Sequence, residues 1–145
     1  MSTYSPAAIA TTAPTIQYTM SADSCFSRTL LKSKIHRAVL TGKELNYEGS
    51  IALDRRLMDA ADLLAGEQVH VLNLNNGARL VTYVIEAPAG SGTVLLNGPA
   101  ARLAETGDIV VIISYANCPE PSARAFRPRI VHVGPGNTPL AASTA

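Results

Sequence analysis

Aromatic side chains are scarce in this 145-residue chain: they make up 5% of it, and tryptophan is absent. Any interior must therefore be filled by aliphatic residues, and an apolar share of 47% supplies enough of them for the core of one domain. Charge is also thin, at 16%, and nearly balanced, with 12 Lys and Arg against 11 Asp and Glu. No basic stripe alternates with aromatic residues, which argues against a nucleic-acid partner. Apolar runs stay short of the ~18 residues that a membrane-crossing helix needs, so no membrane is expected as a partner. Cysteine is limited to Cys25 and Cys118, with no CxxC spacing and no His pair nearby, so no metal-ligand signature is present and none is expected. A pair of reduced thiols in a cytoplasmic protein is the simpler reading, and a disulfide the less favoured one.

Lysine and arginine are missing until Arg28. A secretory signal needs a basic start and a longer apolar stretch, and a transit peptide needs arginine, so neither fits. Residues 1–27, rich in Ser, Thr, Ala and Pro, read as a disordered arm, with Met20 a second candidate start. The Gly-, Pro-, Ala-, Ser- and Thr-rich residues 134–145 read as a disordered tail. One domain over residues 28–133 lies between them.

That middle consists mostly of short strand signals. Residues 29–40 alternate loosely and place Lys34 and His36 on one face. Gly42, Asn46 and Gly49 mark turns. Asp54 suits the N-cap of a helix through Leu64, with Leu57, Ala61 and Leu64 as its buried stripe and Gly66 as its stop. Residues 68–74 and 78–86 flank Asn75-Asn76-Gly77 as a hairpin. A strand over 93–96, a short helix over 100–105, an apolar core strand over 108–115 and a last strand over 129–133 complete the series. Pro119, Pro121 and Pro128 interrupt the chain before that last strand. Many short strands, two short helices and no βαβ rhythm predict a mainly β protein, a compact barrel with helical insertions.

The candidate chemistry sits at Tyr47-Glu48-Gly49-Ser50. A Gly-Ser pair is most often just a turn. It also suits backbone cleavage, because the serine hydroxyl is one short arm from the preceding carbonyl and glycine has no Cβ to block attack. An N→O acyl shift gives an ester; elimination leaves dehydroalanine, which hydrolyses to a pyruvoyl group and ammonia. A planar amide is otherwise inert, so the step requires strain and oxyanion stabilisation.

The company of that pair is informative. Arg28-Thr29-Leu30-Leu31-Lys32-Ser33-Lys34-Ile35-His36-Arg37-Ala38 closely resembles the N-terminus of bacterial aspartate 1-decarboxylases. Tyr47-Glu48-Gly49-Ser50 and Leu57-Met58-Asp59-Ala60-Ala61-Asp62-Leu63-Leu64 resemble the same family in order and spacing, and so do Asn76-Gly77-Ala78-Arg79-Leu80-Val81-Thr82-Tyr83, Asn97-Gly98, Gly107-Asp108-Ile109-Val110 and Arg127-Pro128. The resemblance, of an actinobacterial kind, spans roughly residues 26–133. It implies a double-psi β-barrel, cleavage between Gly49 and Ser50, and a covalent pyruvoyl cofactor derived from Ser50. It further implies a homotetramer of processed protomers, four α and four β chains, with active sites between neighbours, and leaves room for a maturation factor. The implied reaction converts L-aspartate to β-alanine and carbon dioxide through a Schiff base, for pantothenate synthesis.

Residue roles follow from the same resemblance. Arg79 is the candidate carboxylate clamp, since guanidinium is a planar two-pronged donor. Tyr83 is the candidate proton donor to the α-carbon. Thr82 is expected to contact substrate and to assist cleavage through its hydroxyl, although strand alternation sets it on the face opposite Arg79 and Tyr83. Lys34 is a second carboxylate contact; His36 is a structural neighbour; Tyr47 and Asn97 position the pyruvoyl group or its enol. Main-chain groups of Gly98, Pro99 and Ala100 are expected to bind substrate. Here the chain departs from the family pattern: Pro99 stands where relatives carry alanine and lacks an N–H, and Arg102 replaces a usual histidine. Pro99 motivates an alternative, a pyruvoyl decarboxylase of another acidic amino acid. A β-barrel binding module that never cleaves is the non-enzymatic alternative.

Overall fold

The computed structural model describes residues 26–141 and 143–144. Most of the arm expected over residues 1–27, with Met20 and Cys25, lies outside the described residues. The described chain runs β1 (Ser27–Val39), β2 (Gly42–Glu44), β3 (Ser50–Asp54), α1 (Arg55–Ala60), β4 (Gln68–Asn73), β5 (Arg79–Ala87) and β6 (Val94–Asn97). A 3-10 turn (Gly98–Leu103) then leads to β7 (Ile109–Pro119), α2 (Glu120–Ala123), β8 (Arg129–Gly134), a second 3-10 turn (Pro135–Asn137), β9 (Thr138–Pro139) and β10 (Ser143–Thr144). No helix among the described residues is long and apolar enough to cross a membrane.

One path of hydrogen-bonded strands, in the order β10-β8-β1-β7-β4-β5-β3-β6-β2, curls around the core, and β9 pairs with β8. Neighbours are mostly antiparallel, but β1 with β8, β2 with β6 and β3 with β5 run parallel. This mainly β architecture with few short helices is consistent with the double-psi β-barrel that the sequence resemblance implies. As the composition requires, the core is aliphatic: Ile35, Leu40, Ile51, Leu53, Leu57, Leu96 and Ile112 are all at most 1% exposed. The expected hairpin forms as β4 and β5, because Asn76 Oδ1 accepts from Ala78 N and Gly77, at φ 75°, closes the turn. In β1 the register slips between Ile35 and Ala38, and Arg37 absorbs the slip with a left-handed φ of 66°.

Several expectations need correcting. The residues between Gly49 and the helix form no turn: β3 is a strand whose five residues are all buried, held between β5 and β6. Helix α1 does begin at the Asp54 cap, but it stops at Ala60 rather than Leu64. Asp62 turns left-handed at φ 53°, Leu63 N–H closes on Met58 O at 2.8 Å, and Leu64 is 70% exposed instead of buried. The helix expected over 100–105 is a 3-10 turn that starts earlier, at Gly98. Strand β7 continues through Pro119, and a short α2, not foreseen, follows it.

The unstructured tail expected from Gly134 is also not what the chain forms up to residue 141. Asn137 is buried, at 3% exposure, and adopts a left-handed φ of 55°. Its side-chain amide bonds Val39 through both the N–H and the C=O, at 2.9 and 2.8 Å, and reaches Gly92 O at 2.9 Å. A residue that satisfies three main-chain groups fixes the segment carrying it.

Candidate active site

Ser50 opens β3, fully buried, and pairs with Asn97 of β6. Asn97, itself 4% exposed, donates from Nδ2 to Ser50 Oγ at 2.9 Å. The Ser50 hydroxyl points its proton at Glu48 O, at a long 3.4 Å. No carboxylate or imidazole bonds that hydroxyl among the described residues, so its placement comes from an amide and a main-chain carbonyl. The next residue, Gly98, is left-handed at φ 65° and lies directly against the Tyr47–Gly49 segment: a Cβ built on it falls 2.8 Å from Gly49 Cα and N. Pro99 is the second residue of the 3-10 turn and sets its Cδ 3.7 Å from where a Gly49 Cβ would lie. Tyr47 is 56% exposed, at the outer lip of this loop.

The parallel register of β3 and β5 begins with Ile51 against Val84. Carried back one residue to the start of β3, it sets Ser50 beside Tyr83, which Thr82 precedes on β5. Burial along β5 alternates, with Arg79, Val81 and Tyr83 exposed while Thr82 turns to the other side, as strand geometry dictates. Arg79 Nη1 lies 3.3 Å from His70 Nδ1, which accepts this hydrogen bond in the Nε2-protonated tautomer. The His70 ring in turn meets Tyr115 edge-on at 5.1 Å. His70 is the site neighbour that sequence reasoning missed. The signal was available, since hairpin pairing sets His70 opposite Val81, diagonal to Arg79 on one face.

Lys34 and His36 are not brought to Ser50 within this protomer. Lys34 pairs with Ile113, Ile113 with His70, and His70 with Val81, so Lys34 and the β5 face share one row across four strands. Three inter-strand steps separate them by roughly 14 Å. His36 packs edge-on against His132 at 5.7 Å, and its Nδ1 is buried without a hydrogen-bond partner. Burial, with Lys34, His132 and Arg37 nearby, lowers its pKa and favours the neutral ring. A cavity of about 620 Å³ opens beside Lys32, Glu67, His70 and Tyr115, and Ser50 does not line it.

The arrangement fits a group made from residue 50. Gly98 leaves the main-chain cradle open that a Cβ would fill, and Asn97 supplies a donor at the oxygen that must react.

Comparison with known proteins identifies the family. The aspartate decarboxylase family profile matches residues 26–140. The chain is 51% identical over 113 residues to the aspartate 1-decarboxylase of Thermoanaerobacter pseudethanolicus, covering 78% of this chain and 97% of that protein. It is 59% identical over 110 residues to aspartate 1-decarboxylase 1 of Gloeobacter violaceus, covering 76% and 93%. This chain belongs to the aspartate decarboxylase family.

Proposed function

We propose that this chain is an aspartate 1-decarboxylase that cuts its own backbone between Gly49 and Ser50 and works with the pyruvoyl group so made. The product is β-alanine, for pantothenate synthesis. The observation that carries this reading is the buried Ser50 hydroxyl, pinned by Asn97 at 2.9 Å beside a Gly49 main chain that Gly98 crowds.

Cleavage uses the chain's own atoms. Ser50 Oγ bonds the Gly49 carbonyl carbon, the Gly49–Ser50 C–N bond breaks, and the hydroxyl proton passes to the freed nitrogen, leaving an ester. Loss of the Ser50 Cα proton expels the Gly49 carboxylate, and water then releases ammonia. Thr82, two residues before the first β5 residue paired with β3, is the hydroxyl suited to the Gly49 carbonyl during attack. When formed, the pyruvoyl group supplies a carbonyl electrophile and an electron sink for loss of carbon dioxide.

Binding then falls to the β5 face. Arg79 holds a substrate carboxylate, with its guanidinium oriented by His70. Tyr83, one register step from Ser50, returns a proton to the α-carbon. Main-chain groups at Gly98 and Ala100 remain as donors around the substrate; Pro99 supplies none. Lys34 acts as a second carboxylate contact only if it comes from a neighbouring protomer, because its own lies too far along the sheet. The exposure of Tyr83, Val81 and Tyr115 on one outer face supports a homotetramer of processed protomers, four α and four β chains, with sites between neighbours. His36 keeps a structural part.

Intact-mass measurement of purified protein tests the reading. The expected result is two fragments, residues 1–49 and 50–145, the second carrying a carbonyl that reacts with hydroxylamine. An uncut chain with no such carbonyl would leave a binding module instead. Pro99 favours one second reading, a changed choice among acidic amino acids; release of γ-aminobutyrate from glutamate faster than β-alanine from aspartate would select it.

A further inference from the structure

We infer that the Gly98-Pro99 turn is the positioning element of self-cleavage, with Gly98 the residue whose missing side chain lets the turn hold the scissile main chain. The inference rests on the reading that the chain cuts ahead of Ser50, and adds which residue outside the cut makes it proceed.

Seven described glycines are left-handed, but they differ in what surrounds them. At Gly66, Gly77, Gly90, Gly107 and Gly136 a Cβ would meet nothing within 4 Å, so those positions need glycine for φ alone, while at Gly92 it would meet Gly136 O at 2.5 Å, away from residues 47–50. At Gly98 a Cβ would stand 2.8 Å from both Gly49 Cα and Gly49 N, and 2.9 Å from Tyr47 O. All three are main-chain atoms, so relief requires moving the very segment that carries the scissile carbonyl. Gly49 itself is different: its φ is not left-handed, and a Cβ there would touch only Pro99 Cδ, at an ordinary 3.7 Å. The close approach is therefore demanded from the Gly98 side of the contact.

What flanks Gly98 ties that contact to the reaction. Asn97 holds Ser50 Oγ through its amide, and Pro99 fixes φ at the second position of the 3-10 turn. A methyl at Gly98 either drives Gly49 outward or rotates Asn97 away from the hydroxyl. Both change the line along which Ser50 Oγ meets the Gly49 carbonyl carbon as the C–O bond forms and the C–N bond breaks.

The test compares Gly98→Ala with Gly136→Ala in the full chain, following the cut fraction against time by intact mass from freshly purified precursor. Gly136 has a matching φ of 66° but open space, so it carries the backbone strain without the contact. Thermal midpoints of both changes in a Ser50→Ala background score folding apart from cleavage. Misplacing reacting groups by ~1 Å costs on the order of a hundredfold, so Gly98→Ala is expected to slow cleavage by about ten- to a hundredfold. Gly136→Ala is expected to leave the rate near that of the unaltered chain.

Cleavage of Gly98→Ala at the unaltered rate would overturn the inference, as would equal slowing of both variants with equal loss of midpoint. Should Gly98→Ala fail to fold, Pro99→Ala adds no atom near Gly49 and frees the ring-fixed φ, which is expected to slow cleavage about two- to fivefold. An unchanged rate there overturns the inference too. An unaltered chain that never cuts would instead defeat the underlying reading.

Discussion

The scissile loop and the outer face of β5 serve one reaction, yet they are built in opposite ways. Ser50 itself is enclosed although the loop before it is exposed: the hydroxyl is buried, Asn97 is buried, and Gly98 lies against Gly49 with no room for a side chain. On β5, Tyr83 is 40% and Val81 55% exposed, and Arg79 bonds His70. A desolvated, crowded site suits a reaction of the chain upon itself, where no substrate has to enter. An open face suits a charged small molecule, provided another surface closes over it and removes water. On the proposed reading, the groups for cleavage come from one protomer, whereas the open β5 face calls for a neighbour to cover it.

The sharpest way to break this division is at Ser50. Ser50→Ala should abolish both the cut and the decarboxylase activity, leaving one uncleaved species by mass; an uncut variant that still made β-alanine would end the proposal. Tyr83→Phe should separate the two regions. It removes one proton donor and is expected to lower kcat by about 10²–10⁴ while the precursor still cuts fully. Arg79→Ala should follow, lowering kcat/KM by about 10–100-fold, the worth of one charge-assisted contact, again with normal cleavage. If either β5 variant stopped the cut, the regions would be a single machine, and mass spectra taken beside the rates would reveal it.

How far these regions were legible in the sequence follows the same contrast. The hairpin carrying Arg79 and Tyr83 is local: Asn76-Gly77 closes it, alternation sets its faces, and the strand bounds came within a residue or two. The strand that holds Ser50 was missed. Its five residues are buried on both sides, so they carry no alternation, and its partners β5 and β6 lie far along the chain. Ser50 and Gly49 themselves were found by resemblance, whereas the contact with Gly98 exists only in three dimensions. The tail was misjudged for a related reason. Gly-Pro-Gly-Asn reads as a breaker cluster by composition, and only the folded chain brings Asn137 to Val39 and Gly92.

That tail contact gives a smaller test of the closed region. In the proposed processed form Val39 belongs to the fragment before the cut and Asn137 to the fragment after it, so this side chain would tie the two pieces together. Asn137→Ala is expected to cost about 1–3 kcal/mol, the penalty for stranding buried main-chain groups. A lowered thermal midpoint of the processed protein would show it; an unchanged midpoint would mean that solvent replaces all three bonds.

Asp54 closes the other end of β3, and acid reads its contribution. Burial pushes its carboxyl up, but the Arg56 side chain and the N–H groups of Arg56, Gly92 and Gly90 outweigh that and hold the pKa down to about 2, against an ordinary 3.8. A carboxyl depressed by folding stabilises the native state fully above its unfolded pKa and loses that contribution as pH falls through its folded one. The thermal midpoint is therefore expected to drop between about pH 4 and about pH 2, with a shallower drop in Asp54→Asn. At neutral pH that variant should be less stable by about 1–3 kcal/mol, because a neutral amide gives up the charge-assisted bond to Arg56. Because Gly92 receives Asp54 on its N–H and Asn137 on its C=O, the two changes share a partner. Their double variant should fall short of the sum of the single losses, and simple additivity would show that the loop does not couple them.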